Sequence, residues 1–554
     1  MNNIKSSFNW GLWVVVVLLL SACQRGSSTP VPIPVQPNPE RMLIRERGTL
    51  FSTSGECAAC HTGIKDKKNA DVSIDSAWRS TMMANAARDP YYLASVRSES
   101  LRFPAYRDAI EEKCSTCHYP MAFFTAIQQK QSTRILDDGF KNSNHSLHPL
   151  GIDGVSCTVC HQIEPANMAD IEGTFSGNFK IDIATESGTR KIFGKFPVEP
   201  AAVTIMQSTT GFIPFQSMHI SRPPVCATCH TLFTSTILAD GSLSKEPFPE
   251  QTPFLEWQNS DYHGVRFCQN CHMPQANGEV LISTVGGKER SPFSQHLFVG
   301  GNHYMLSLME KNASAIKATA EDQHFQITQN HTTRQLTEQT ATLDLKGERR
   351  GDTLALTVKI TSLVGHKFPS GFPSRRAWLH VVVRDQMGNT IFESGGYDQF
   401  GNITDNDNDK DAALFEKHYQ SIIQADQVQI YESIMADENG KVTTQLLSAA
   451  SYLKDNRLLP KGFNKSTVPN VVGVIGDALS DEDFVGGSDQ VEYQVKVGAG
   501  ELQITVELLY QSLGAQWAEK LNKAGNQEGQ QFLNMVKAQP ILPVVVAKQS
   551  IRLR

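Results

Sequence analysis

From about residue 335 onward apolar and polar positions alternate with a period of two, which predicts strands with one buried face. Leu354, Leu356, Val358 and Ile360 alternate with polar residues after Gly351-Asp352, and a second apolar run over 378–383 closes at a turn, Met387-Gly388-Asn389. Val428-Gln-Ile-Tyr431 leads through Asn439-Gly440, a strong hairpin signal, into Val442. Val491, Tyr493, Val495 and Val497 turn at Gly498-Ala-Gly500 into Leu502, Ile504, Val506 and Leu508. Short alternating strands joined by hairpin turns predict an immunoglobulin-like antiparallel β-sandwich over 335–554, with inserted helices at 516–523 and 530–537.

The pattern upstream is different. Residues 76–87 and 108–113 read as helices, and the rest of 41–334 lacks long periodic runs, so this domain is predicted to be mainly helical and irregular. Residues 10–20 are apolar, follow Lys5 and end at Leu20-Ser21-Ala22-Cys23; the run is short for a membrane span and reads as a signal peptide, 1–22. Residues 23–40 contain Pro30, Pro32, Pro34, Pro37 and Pro39, an extended polyproline spacer at about 3.1 Å per residue. The fold class is therefore α + β multidomain: a mainly helical, irregular domain followed by a β-sandwich.

Composition adds a boundary and one anomaly. With 554 residues, 40% hydrophobic, 19% charged and a formal net charge of -6, the chain is neither disordered nor a polybasic nucleic-acid binder. Eleven cysteines cannot all pair with one another, so at least one has another role.

Ten of them fall into five copies of one pattern: Cys57-Ala-Ala-Cys60-His61, Cys114-Ser-Thr-Cys117-His118, Cys157-Thr-Val-Cys160-His161, Cys226-Ala-Thr-Cys229-His230 and Cys268-Gln-Asn-Cys271-His272. C-x-x-C-H is the attachment signature of c-type haem, in which two thiols bond the porphyrin and the adjacent histidine is the proximal iron ligand. Zinc knuckles would need closed sets of four ligands, and redox-active Cys-x-x-Cys pairs do not need a histidine in fifth place every time. Five haem c groups are expected, on a segment where the macrocycles form much of the core. The uneven spacing of the motifs excludes a fixed-length repeat.

Each iron has a sixth position. His145, His148, His219, His263, His296 and His303 are the candidate distal ligands, with His324 and His331 as further ones near the domain boundary. The number of histidines favours mostly bis-histidine, low-spin haems that pass electrons. His366, in Gly365-His-Lys-Phe-Pro-Ser-Gly371, is a further candidate if that loop lies against the last haem. No histidine falls between the first and second motifs, where Met82 and Met83 read as helical packing. Arg79, Arg88, Arg97 and Arg102 make this the segment in which an open, catalytic haem would be sought.

Two features lie outside the motifs. Leu20-Ser-Ala-Cys23 resembles a bacterial lipobox, which implies acylation of Cys23 and an anchor in the membrane, with Gln24 favouring the outer membrane. Asp405, Asp407, Asp409, Asp411 and Glu416 occupy positions one, three, five, seven and twelve of an EF-hand-like count, a set of oxygen donors suited to Ca²⁺. Lys410 stands where such a loop wants glycine, and the other reading is a solvated acidic loop.

With Cys268-Gln-Asn-Cys-His-Met-Pro274, the five motifs resemble the bacterial multihaem cytochrome c superfamily, and within it the branch of small tetrahaem electron acceptors of hydroxylamine oxidoreductase, over roughly 50–310. The chain differs by its fifth motif, its anchor and its β domain. Gly365 to Gly371 and Lys454-Asp-Asn-Arg-Leu-Leu-Pro-Lys-Gly-Phe463 resemble segments of larger multihaem proteins with a C-terminal sandwich; the second suggests no chemistry by itself. The expected function is an exported, membrane-anchored electron carrier with redox-protein donor and acceptor at the cell envelope. The alternative is a haem-dependent reductase or oxidase of a nitrogen or sulfur oxyanion. All five motifs end in histidine, unlike the lysine variant of ammonia-forming nitrite reductases.

Overall fold

A computed structural model describes residues 41–554, which belong to one compact unit. The signal segment, Cys23 and the proline-rich spacer lie outside the described residues. Among the described residues no helix is long and apolar enough to cross a membrane.

Each Cys-x-x-Cys-His motif lies in or closes a short helix. These are α1 (Ser54–His61), then, after α2 (Pro90–Arg102), α3 (Arg107–His118), α4 (Cys157–Cys160), α5 (Pro223–His230), and, after α6 (Pro253–Gln258), α7 (Cys268–His272). The reason is geometric: in a helix residues three and four apart share a face, so both thiols and the imidazole of one motif point the same way. Proline opens α2 and α5, where its missing N–H costs no hydrogen bond. At α2 the Asp89 carboxylate caps the helix by accepting from the Tyr91 and Tyr92 amides. The helix expected over 76–87 stops at Arg79, and the backbone continues in turns to Asp89. Trp78 and Ala77 are buried, but Asn85 and Thr81 hydrogen-bond locally and favour turns over a continuing helix.

A long helix, α8 (Asp322–Gln339), runs directly into the strands. Two sheets follow. One orders as β5-β7-β2-β1, from β1 (Ala341–Arg350), β2 (Thr353–Ser362), β5 (Ser421–Ile422) and β7 (Ser488–Lys496). The other orders as β4-β3-β8-β9, with β6 also on β3, from β3 (Arg376–Arg384), β4 (Thr390–Ser394), β6 (Ile430–Tyr431), β8 (Leu502–Gln511) and β9 (Val544–Leu553). The alternation seen in the sequence aligns inward-facing residues across strands: Val358 opposite Val491, Leu356 opposite Tyr493, and Val506 opposite Val381. These side chains form one core shared by both sheets.

Two expectations for the strands change. The turn at Gly498-Ala-Gly500 does not make a hairpin: β7 pairs with β2 and β5, β8 pairs with β3 and β9, and the turn crosses from one sheet to the other. Alternation alone shows that both strands bury one face, without saying against which partner. The pairing of β5 with β7 is parallel, so the sheets are not wholly antiparallel. Asn439-Gly440 does form a tight turn, but the backbone there closes only one bridge, Ala436 with Val442. The inserted helices occur at Ala515–Glu519 and at α9 (Gln527–Ala538). The second packs on α2, where Arg97 reaches both Glu528 and Asp137.

Candidate functional site

All ten motif cysteines and all five motif histidines line a single cavity of about 1290 Å³. Protein interiors rarely leave voids larger than a water molecule, and a small-ligand pocket is typically about 300–1,000 Å³. A space of this size is built to hold bulky groups. Its other walls are largely apolar and aromatic, among them Trp78, Phe179, Phe193, Phe254, Trp257 and Phe267.

The motifs meet one another at their thiols. Cys57 hydrogen-bonds Cys157, Cys117 hydrogen-bonds Cys229, and Cys226 hydrogen-bonds Cys268. The first motif therefore touches the third, and the fourth touches both the second and the fifth. Burial pushes the Cys114 and Cys160 thiols up to about 12, so without a bond to carbon these two are protonated and unreactive. None is in a disulfide.

The imidazoles are prepared for metal. Nδ1 of His61, His118, His161 and His272 lies in hydrogen-bond reach of a backbone carbonyl, of Ile282, Ala86, Phe193 and Val299 respectively. A carbonyl can only accept, so the proton sits on Nδ1 and Nε2 keeps a free lone pair, as in metal-binding histidines. Burial lowers the pKa of all five motif histidines, to about 4 for His118 and His272, which keeps the rings neutral.

Two of these rings face a second imidazole across the cavity. His161 and His296 have ring centres 6.3 Å apart and planes 19° from parallel; His272 and His366 are 6.2 Å apart at 13°. Two imidazoles bound through Nε2 to opposite sides of one metal, at roughly 2.0–2.1 Å per bond, have ring centres about 6.3 Å apart. The spacing is too long for stacking and right for an ion between the rings. With free Nε2 atoms, unpaired thiols on the same helical face and a large apolar cavity, the residues fit five covalently attached haems.

The remaining sequence candidates are placed differently. His145, His148, His219, His263 and His303 do not line the cavity. Both nitrogens of His219 are engaged, with Ser217 Oγ and the Ile163 carbonyl. His145 accepts from the Leu147 amide, His148 faces the Phe140 carbonyl, and His263 packs edge-on against Trp257. His324 lies within reach of the Glu321 amide at the start of α8, and His331 sits further along that helix; both are outside the cavity. Met82 and Met83 both line it.

The acids of the 405–416 loop do not converge on one point. Asp409 turns inward to a bidentate pair with Arg376, and Asp405 pairs with Lys410. Glu416 accepts from the Asp407 amide and the Tyr419 hydroxyl, and Asp411 from the Ala413 amide. The buried guanidinium replaces Ca²⁺ as the partner of Asp409. The sequence count placed the donors correctly along the chain but did not show Arg376 beneath them.

Another buried set, His418, Asp481 and Asp489, has ligand atoms within 4.8 Å of one another. Its imidazole is fully engaged, although Asp489 Oδ1 is buried without a partner. Gln429 Oε1 and Asn456 Oδ1 accept from the Tyr419 and Glu432 amides, which turns both side-chain NH₂ groups onto His418 Nδ1. The ring proton is therefore on Nε2, donated to Asp481, and no lone pair is left for an ion.

Beside the second motif lies a polar corner that the sequence did not reveal. Tyr92 stacks on His118 with ring centres 3.5 Å apart. Tyr92 Oη and Glu99 Oε2 are buried without a hydrogen-bond partner, and both residues line the cavity together with Lys113, Glu250 and Lys520. Burial, helped by the Glu99 charge and opposed by the Thr234 hydroxyl, Lys113 and Lys520, pushes Glu250 up to about 7. The positions of Tyr92 and Glu99, seven apart on α2, were the available sequence signal.

No family model matches the chain, and no curated protein matches it. Among solved structures it is similar to a penta-heme cytochrome c552 from Thermochromatium tepidum, at 16% sequence identity and a TM-score of 0.48, over 93% of this chain and 100% of that one.

Proposed function

We propose that the chain is a pentahaem c-type cytochrome that carries electrons between redox proteins at the cell envelope. The observation that carries this reading is the convergence of all five Cys-x-x-Cys-His motifs on one cavity. Haem iron supplies a one-electron couple when bound. The chain's own part is positional. Cys57 and Cys60, Cys114 and Cys117, Cys157 and Cys160, Cys226 and Cys229, and Cys268 and Cys271 fix five attachment points on helix faces. His61, His118, His161 and His272 present Nε2, His230 lines the same cavity, and His296 faces His161 from the other side. The walls around these points are largely apolar. Through its thiol contacts the fourth motif is the branch point of the array.

Intact mass and alkaline pyridine absorbance of the holoprotein are expected to give five haem c per chain, and any other count overturns the reading. Anchoring belongs to the same proposal. Cys23, acylated after cleavage at residue 22, tethers the protein to the outer membrane; Cys23→Ser is expected to move it from the membrane to the soluble fraction. Retention in the membrane would show that something other than this thiol holds it.

A second reading, a haem-dependent reductase or oxidase of a nitrogen or sulfur oxyanion, is favoured by the unpartnered Oη of Tyr92, whose ring stacks on His118, and by the unpartnered Glu99 Oε2 that lines the same cavity. These groups would hold or hand a proton to a small bound anion. Electron paramagnetic resonance decides between the two: signals unmoved by nitrite, hydroxylamine or sulfite support the carrier. A stoichiometric high-spin signal that responds to one of them supports the enzyme.

A further inference from the structure

The two sequence segments without an assigned role, 365–371 and 454–463, lie against each other. Phe368 and Leu458 exchange both backbone hydrogen bonds, each 2.8 Å. Beside them is a buried ring of four charges. Lys367, fully buried, donates to Asp455 Oδ2 at 2.6 Å and to the Gly473 carbonyl at 2.8 Å. Arg457 forms two hydrogen bonds to Asp455, at 2.8 and 2.7 Å, and lies 3.0 Å from Glu256 Oε1. Glu256, also fully buried, completes the ring: its Oε2 accepts from the Lys367 amide at 3.0 Å and from Ser370 Oγ at 2.7 Å.

Glu256 belongs to α6, between the fourth and fifth motifs, whereas the other three belong to the β region. The ring therefore grips the loop from both sides, and the amide that Glu256 holds is the one next to His366. Two further contacts fix the same loop. Tyr262 Oη donates to the Leu363 carbonyl at 2.8 Å, and a Cβ at Gly365 would meet Tyr262 at 3.2 Å. Four charges desolvated together are seldom more stabilising than apolar side chains of the same volume; their best-attested use is to specify one arrangement. Here the arrangement specified is that of the His366 ring, parallel to His272 at 6.2 Å.

We propose that His366 is the second axial ligand at the fifth attachment site, and that Glu256, Arg457, Asp455 and Lys367 are its positioning residues. The inference rests on the pentahaem reading. It makes the β region part of a metal centre that the fifth motif begins: neither half completes the site alone.

The test uses the full-length holoprotein, with haem counted first. Five haems in the wild type uphold the underlying reading; fewer would overturn that reading, and this inference with it. In His366→Met, five haems are expected to remain, with the midpoint potential of one raised, because a Met/His haem sits higher than a bis-histidine one. In Glu256→Gln, part of one haem is expected to turn high-spin and to return to low-spin on adding imidazole. With five haems present, unchanged potentials in His366→Met would overturn the ligand assignment. A Glu256→Gln protein that melts lower but keeps every haem low-spin would overturn the positioning role. If Glu256→Gln does not fold, Ser370→Ala, which removes one donor to the same carboxylate, is read in the same way.

Discussion

Replacing both Cys226 and Cys229 by alanine is expected to abolish cooperative folding of the motif region while sparing the strands. The reason lies in the cavity. Without their contents the largely apolar walls of this 1290 Å³ space would face water, at roughly 25 cal/mol per Å² exposed. About 400 Å² of such exposure already amounts to about 10 kcal/mol, within the roughly 5–15 kcal/mol by which a domain is stable. The walls need their contents. The fourth motif is the one whose loss spreads furthest, since its thiols meet those of the second and fifth motifs and Cys160 of the third lies nearby. The first motif is less connected, its Cys57 meeting only Cys157 among the thiols of the other motifs, so Cys57→Ala with Cys60→Ala is expected to be milder.

The β region has a core of its own residues, so it survives. Leu356, Val358, Val381, Val491, Val506 and Leu508 are all fully buried within it. Limited proteolysis of the Cys226/Cys229 variant is therefore expected to leave a resistant fragment starting near residue 340. Near-ultraviolet circular dichroism is expected to lose the motif region's signal. A variant that melts as one cooperative unit at the wild-type temperature would show that the cavity walls hold without the fourth haem.

How much of this was legible in the sequence depended on range. Cys-x-x-Cys-His is a local pattern complete in five residues, so all five motifs that line the cavity were visible. Period-two alternation is equally local, and Leu354 to Ile360 lie where it put them, on a buried face. The pairing of two imidazoles across the cavity is not local. His296 is 135 residues from His161 in sequence, with nothing near it to distinguish it from His145 or His263; His366 is 94 from His272, and only the glycine- and proline-bearing segment 365–371 around it gave a local hint. The same limit applied at Asp409, whose partner Arg376 is 33 residues away. At 498–500 the turn residues were evident, while the choice of sheet depended on strands on either side. The segment 454–463 suggested no chemistry because its charges find meaning only with Glu256, about two hundred residues earlier.

The charge ring also predicts a large stability effect that separates two explanations of why it is there. Asp455→Ala leaves Lys367 and Arg457 buried with one carboxylate between them, and breaking a buried pair in this way typically costs about 3–5 kcal/mol. Denaturant titration at pH 7 is expected to show that loss. Burial opposes ionisation of Asp455, but the Arg457 and Lys367 charges outweigh it and hold the carboxyl well below the usual range. A carboxylate with a depressed folded pKa adds stability that is complete above its unfolded value, near 3.9, and is lost as pH falls toward the folded one. The wild type is therefore expected to lose stability below about pH 4 more steeply than Asp455→Ala, the two curves converging in acid. Replacing both Lys367 and Asp455, by Met and Leu, removes the stranded charge and is expected to recover most of the loss, leaving Arg457 with Glu256. If the ring existed for stability alone, this double variant would behave as wild type in every respect. If it exists to place His366, the double variant is expected to unfold near the wild-type denaturant concentration and still show a haem that has lost part of its low-spin signal.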